Sequence, residues 1–177
     1  MGEKLPSSSL PRRHGRRWIS PGKWPPLVRE VALGKAEQAY QISAAIIVAM
    51  LENISVNRVS LDAAHLGCAF HDAVEADEAV LFNAICRDLV VAFAGNDLSK
   101  IPHLLLLAAM VQATAELEAG LTFDRSDFNR IVLSSTHRAA RELVSENWDV
   151  VAVLAETLLR RSVVGADELD ALLKGQP

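Results

Sequence analysis

The chain has 177 residues, half of them hydrophobic and 5% aromatic, and a formal net charge of −4. This length fits one domain with a substantial core, and a composition rich in Ala, Leu and Val is typical of a helical protein. Residues 1–24 contain six Lys or Arg and one Glu, so they carry a net +5 and the remainder a net −9. An acidic body argues against nucleic-acid binding, except for weak contacts through the basic segment.

Cysteine content and the N-terminal segment predict the setting of the protein. Cys68 and Cys86 are too few for a disulfide framework. The first 25 residues are rich in Pro, Ser and Arg and lack the apolar run of a secretory signal. We therefore predict a cytoplasmic protein with no membrane span, in which residues 1–26 form a basic tail and residues 27–177 form the folded domain.

Apolar residues at helical spacing predict a mainly α fold, a single compact domain of about six helices. The predicted ranges are 27–52, 75–94, 100–119, 126 to a break near Asn147, 148–161 and 167–173. Gly95 and Gly120 stand where two of these helices should end. Asp97 or Ser99 is expected to cap the helix that begins near residue 100. The segment Val163-Val164-Gly165 is interpreted as a tight connector.

Two stretches within these helices contain no charged residue. They are Ala39–Leu51, near the end of the first helix, and Leu104–Met110. A span of the bilayer takes about 20 apolar residues, so both stretches are too short to cross a membrane. A helix that is apolar on all sides belongs in the middle of a core. We therefore expect both stretches to lie in central helices, covered by the others.

Ile54–Leu61 is the one good strand signal, because apolar and polar residues alternate along it. The alternation changes phase at Asn57–Arg58, which predicts a bulge or tight turn. We expect one short strand or hairpin near residues 54–61, packed on the helices.

The next segment contains side chains that could ligate a metal. His65, Cys68 and His71 recur at intervals of three, and Asp97 is an acidic candidate further along the chain. His and Cys are good zinc ligands. Side chains spaced by three drift around a regular helix, however, so one helix would not bring all three together. The other interpretation is a loop or short helix whose polar residues have no metal-binding role.

The charge-free helix and the strand signal carry a resemblance to a known family. Ala39–Ala49 reads Ala-Tyr-Gln-Ile-Ser-Ala-Ala-Ile-Ile-Val-Ala, and Val59-Ser60-Leu61 follows. These segments resemble the protease domain of the FtsH-type ATP-dependent zinc metalloproteases. In that family the zinc helix reads Ala-Tyr-His-Glu-Ala-Gly-His-Ala-Val-Val-Ala, and a short Val-Ser-Ile strand comes after it.

Two later segments are similar to the same domain. The C-terminal helical pair, from His137 through Trp148 to Leu169, is similar to the helices that close it. Ala94-Gly95 is similar to the start of the family's Ala-Gly-Arg-Ala-Ala-Glu. The resemblance covers roughly residues 27–173 and implies a helical peptidase fold.

This chain departs from the family at all three catalytic positions of the zinc helix. The family's two His ligands correspond to Gln41 and Ala45, and its catalytic Glu corresponds to Ile42. Zinc needs the two imidazoles on one helical face, and the zinc-bound water needs the carboxylate as its base. Gln41 is a poor zinc ligand, Ile42 cannot accept a proton, and Ala45 coordinates nothing.

The resemblance therefore implies a pseudoprotease, which is a catalytically inactive peptidase-like domain that acts as a binding or assembly module without a cofactor. Two alternatives stay open. One is a metal-dependent hydrolase or peptidase with a relocated site at His65, Cys68, His71 and Asp97. The other is a helical interaction protein unrelated to proteases. The protein partner is not readable from the sequence, and the high apolar fraction leaves room for a homo-oligomer.

Overall fold

The computed structural model describes the backbone of residues 26–61, 64–161 and 163–174, and the side chains of residues 34–56, 59–61, 66–161, 163–171 and 174. The predicted tail, apart from Pro26, lies outside these residues. The elements in chain order are α1 (Pro26–Leu51), β1 (Val56–Ser60), β2 (Ala64–Leu66), α2 (Ala69–Asp72), α3 (Glu78–Ala94), α4 (Ile101–Glu118), α5 (Arg125–Glu146), α6 (Trp148–Arg161), β3 (Val163–Gly165) and α7 (Ala166–Leu173). The predicted mainly α fold is confirmed. Among the described helices, none combines the length and the hydrophobicity that spanning a bilayer requires.

Helix α1 lies at the centre of the fold, as its charge-free second half predicted. Every residue from Ser43 to Ala49 is buried. The helix packs against α6 and α3, and more lightly against α5 and the sheet. Because helices cover it on more than one side, no face of this stretch had to be polar. Asn53 adopts a positive φ just after the helix ends, which is the expected stop.

The sheet has three strands in the order β2-β1-β3, with both pairs antiparallel. The register shifts between Val56 and Arg58, so the bulge predicted at Asn57–Arg58 is confirmed. The prediction of a connector at residues 163–165 was wrong, because this segment pairs with β1 through Val164 opposite Val59. A three-residue strand is too short to show an alternating pattern in the sequence.

Helix α4 is not the second central helix that its apolar run predicted. It packs against α3 and α5 on one side, where Ile101, Leu104 and Ala108 are buried. Its other side faces outward and carries exposed Leu106 and Met110. An apolar run indicates which surfaces a helix could bury, but it does not identify the neighbour that covers each surface.

Helix caps explain the small shifts between predicted and observed boundaries. Helix α3 begins at Glu78 because the carboxylate of Asp77 accepts a hydrogen bond from the backbone N–H of Val80. Neither Asp97 nor Ser99 caps α4, whose N-cap position is Lys100. The Asp97 carboxylate instead accepts from the Ser99 hydroxyl within the turn before the helix.

A buried carboxylate anchors the short helix α2 to the middle of α3. Asp88 accepts hydrogen bonds from the backbone N–H groups of Ala69 (2.9 Å) and Phe70 (2.8 Å) and from the thiol of Cys68 (3.2 Å). One side chain therefore satisfies the first free amides of α2. It also fixes α2 against α3.

We expect Asp88→Ala to lower the free energy of unfolding by roughly 2–3 kcal/mol, since it leaves two poorly hydrated N–H groups without an acceptor. Urea denaturation followed by helical circular dichroism measures the loss. Cys68→Ala is the matched control and should cost roughly 1 kcal/mol or less, because it removes only a weak S–H donor. Equal losses in the two variants would contradict this role for Asp88.

Candidate functional site

The three positions that correspond to the family's zinc chemistry lie on one stretch of α1 and face different surroundings. The Gln41 amide is half-buried and donates a hydrogen bond to the Glu37 carboxylate one turn earlier, at 3.3 Å. Ile42 is half-buried and packs with the cluster formed by α1, α6 and the sheet. Ala45 is only 8% exposed and belongs to the cluster shared by α1, α3 and α5. None of these side chains offers a metal ligand or a base to an open cleft.

The end of α3 covers Ala45. A Cβ placed on Gly95 would lie 2.8 Å from the Cβ of Ala45 and 3.7 Å from the carbonyl oxygen of Gln41. Real Cβ atoms do not approach this closely, so a glycine is required where α3 ends against α1. The φ of Gly95 is −85°, so space and not backbone conformation imposes the requirement. Ala94-Gly95, one of the segments that carry the resemblance, thus closes the surface above Ala45.

An open groove lies beside this closed contact, and we call it the α3–α5 groove. Its volume is about 420 Å³. Its lining comes from the end of α3, from α5 and from the start of α6, namely Phe93, Ala94, His137, Ala140, Arg141, Val144, Ser145 and Trp148.

Two aromatic contacts fix the walls of the groove. The ring of Trp148 stacks on that of Tyr40 of α1, with centroids 5.5 Å apart and planes 12° apart. The ring of Phe93 meets that of His137 edge-on at 5.2 Å. Through Tyr40 the groove is attached to the turn of α1 that precedes Gln41.

Arg141 supplies the one formal charge in the lining of the groove, whereas the adjoining hollow on α5 also contains Glu142 and Glu146. The lining of the groove itself includes no acidic residue. Among the described residues Arg141 has no ion-pair partner, whereas the neighbouring Arg138 lies 4.0 Å from the Glu142 carboxylate. An unpaired guanidinium beside two aromatic rings suits a carboxylate ligand that also presents apolar surface.

The polar side chains of the groove do not form a catalytic pair. His137 and Ser145 are eight residues apart on α5, a rise of about 12 Å, whereas a base must lie within hydrogen-bond reach of its nucleophile. His137 and Ser145 are therefore too far apart to act together as base and nucleophile.

Three of the four candidate residues for a relocated metal site, namely Cys68, His71 and Asp97, make other contacts. Burial raises the pKa of the Cys68 thiol, which donates to Asp88, whereas a metal ligand would be a thiolate. His71 is exposed and packs its ring against Phe70. Burial alone would raise the pKa of Asp97, but hydrogen bonds from Ser99 and Lys100 outweigh it, and the pKa is lowered.

Asp97 also lies beyond the C-terminal end of α3, whereas the Cys68–Asp88 contact is near the middle of that helix. Six residues of helix separate Asp88 from Ala94, a rise of about 9 Å, and Asp97 comes three residues later. The side chain of His65 lies outside the described residues. Within the part of the chain that the structure describes, no group of three or more His, Cys, Asp or Glu side chains is placed to hold a metal ion.

The family resemblance singled out Gln41, Ile42 and Ala45 as the positions that match the zinc chemistry, but no pattern in the sequence predicted the groove. His137 and Arg141 were recognisable only as part of the polar face of α5. Their spacing of four residues is what any solvated helix face shows. Phe93 and Trp148 belong to other helices, and nothing in the sequence places them beside His137.

Comparison with known proteins identifies no relative: no family model, no curated protein and no solved structure matches this chain. A functional proposal therefore rests on the residues and contacts of the chain itself.

We expect Gly95→Ala to lower the free energy of unfolding by roughly 1–3 kcal/mol, since its Cβ would overlap Ala45 and force α1 and α3 apart. Gly34→Ala is the matched control, because Gly34 is an exposed helical glycine with open space around it. It should gain roughly 0.5–1 kcal/mol from helix propensity.

A double-mutant cycle with Ala45→Gly tests the contact itself. Removing the Ala45 methyl group makes room for the new one, so the two substitutions should be coupled by about 1 kcal/mol or more in urea denaturation. Strictly additive effects would mean that the two helices do not meet at these residues.

Proposed function

We propose that this chain is an FtsH-type peptidase-like domain that has lost its zinc site and acts as a binding module. The observation that carries the proposal is the contact between Ala45 and Gly95. A second zinc ligand at position 45 would need open space above α1, and the end of α3 fills that space. The erased ligand position is thus part of the packing between helices.

The replacements also favour a stable metal-free fold. Imidazole and carboxylate groups near a core carry a desolvation cost that bound zinc would normally offset. Ile42 and Ala45 remove that cost, because neither side chain has a polar atom. Gln41 keeps one polar group, and Glu37 provides its hydrogen-bond partner.

The α3–α5 groove is the proposed binding surface. Its ligand would be a peptide segment that presents an apolar side chain next to a carboxylate. The apolar side chain would pack between Phe93 and Trp148, and the carboxylate would pair with Arg141. Aromatic rings that are already held in place by Tyr40 and His137 lose little entropy when a ligand binds.

The zinc content of the purified protein tests the proposal that the chain has lost its zinc site. We expect protein purified without chelators to contain well under one zinc per chain by elemental analysis. One equivalent of zinc that survives dialysis would contradict the proposal.

Restoring single ligands tests the packing argument behind this expectation. Gln41→His should change the free energy of unfolding by about 0.5 kcal/mol or less, because the side chain is half-exposed. Ala45→His should cost roughly 1–3 kcal/mol, because the ring must displace Gly95. Equal tolerance of both substitutions in urea denaturation would show that position 45 is open.

Selection from a phage-displayed library of random peptides tests the groove. We expect the wild-type chain to enrich sequences in which Asp or Glu neighbours Leu, Ile or Phe. Arg141→Glu should weaken binding of the best peptide by at least about tenfold in fluorescence anisotropy, because it removes one charge-assisted contact.

Arg130→Glu is the matched control for the same peptide. Arg130 is also an exposed arginine of α5, but it pairs with Asp127 and does not line the groove. Its replacement should change the affinity by less than about twofold. Equal losses in both variants, or enrichment of basic peptides, would rule out this groove as the binding surface.

A further inference from the structure

The outward side of α4 is an apolar surface that no described part of the chain covers. Helix α4 buries Ile101 and Leu104 against its neighbours α3 and α5. On the other side Leu106 is 42% exposed, Met110 59% and Leu117 70%. Scattered exposed apolar residues are ordinary, but three on the same side of one helix indicate an interaction surface.

The spacing of this row fits a second helix. His103, Leu106, Met110, Ala113 and Leu117 follow one another at steps of three, four, three and four residues. Four of the five residues are apolar, and their steps are those of the heptad seam of a helix pair, which is narrower than the stripe with which a helix joins a globular core. We call these five residues the α4 seam.

The charges at the two ends of α4 indicate the partner. The helix has no acidic residue in its first turn and no basic residue in its last. Lys100 precedes it, and Glu118 ends it, which opposes the direction that the helix macrodipole favours. Lys100 pairs with Asp97 at 3.1 Å, and Glu118 has no ion-pair partner among the described residues.

A charge order that is unfavourable within one helix becomes favourable between two antiparallel copies of it. Lys100 and Glu118 are 18 residues apart, five turns of 3.6 residues, so both lie on the same flank of the seam. When the second helix runs in the opposite direction, its Glu118 lies beside Lys100 and the positive N-terminal end of the first. The same contact is repeated by symmetry at the other end.

We propose that two copies of this chain pair through their α4 seams as an antiparallel, two-fold symmetric dimer centred on Met110. In this arrangement Met110 faces Met110 of the second copy, and His103 faces Leu117 of the second copy. One self-complementary surface serves both chains, as two-fold symmetry requires. The proposal rests on α4 alone and does not depend on the α3–α5 groove or on the family resemblance.

The charges of α4 favour a second copy of the chain over a membrane surface as the partner of the α4 seam. A helix that lies on a lipid surface usually carries several Lys or Arg along its polar edges, whereas α4 ends in Glu116 and Glu118 and has only Lys100 before it. A helix of 18 residues is about 27 Å long. So small an interface should give a weak dimer, with a Kd roughly in the micromolar range.

Sedimentation equilibrium of the full chain, from about 1 to 500 µM, tests the dimer. We expect a monomer–dimer equilibrium that Met110→Glu weakens at least about 30-fold, because two carboxylates would meet at the symmetry axis. Val153→Glu is the matched control. Val153 is 49% exposed on α6, so the substitution adds the same charge at a similar exposure and should leave the Kd within about twofold.

Either of two results would overturn the proposal. One is a wild-type chain that stays monomeric at the highest concentration. The other is Met110→Glu with the same Kd as the wild type while circular dichroism shows that it is folded. An equal loss in Val153→Glu would assign dimerisation to another surface, which also overturns the proposal.

Cysteine cross-linking tests the orientation and does not depend on Met110. Chains carrying His103→Cys are mixed with chains carrying Leu117→Cys and oxidised with diamide. The antiparallel seam predicts cross-linked heterodimers in the mixture and few in either chain alone, with the wild type controlling for Cys68 and Cys86. Cross-linking of each single variant to itself, without heterodimers, would mean that the helices run parallel and would overturn the antiparallel dimer.

Discussion

Helix α1 and the end of α3 pack closely because the two residues that meet there, Ala45 and Gly95, have a single side-chain carbon in total. The contact sets the position of the α3 terminus against the buried half of α1. Helix α3 in turn packs against α4 and α5, and its Asp88 side chain holds α2 through hydrogen bonds. A larger side chain at either position would therefore displace several elements, since closely packed interiors transmit a local change in volume.

The same contact links the fold to its proposed function. A zinc enzyme needs ligands that are held firmly but also face an open coordination position, and that space must be kept free of other side chains. Here the space above position 45 is filled by packing, while the α3–α5 groove beside it stays open and is lined by Arg141. In the proposed binding function, recognition would depend on the walls of the groove, which Trp148 and Phe93 help to form, and would need no metal geometry.

Much of the local structure could be predicted from sequence because it depends on local physics. The range of α6 matches its prediction, since a clear apolar stripe follows the break at Asn147. The bulge in β1 follows from a phase change that is visible in eight residues. The sheet partner β3 and the groove could not be predicted, because pairing and the meeting of Phe93 with His137 depend on how distant segments pack.

Helices α1 and α4 also show that burial depends on how distant segments pack, because one is covered on several sides and the other on one side only. Both contain a charge-free apolar run, and amphipathicity cannot orient a helix that is apolar on every side. Helix α1 has neighbours on several sides and is buried, whereas α4 has α3 and α5 on one side only. The outward residues of α4 are then either a cost in solubility or a surface for association. The heptad spacing from His103 to Leu117 and the reversed end charges favour association, because neither feature is needed to pack α4 onto its own chain.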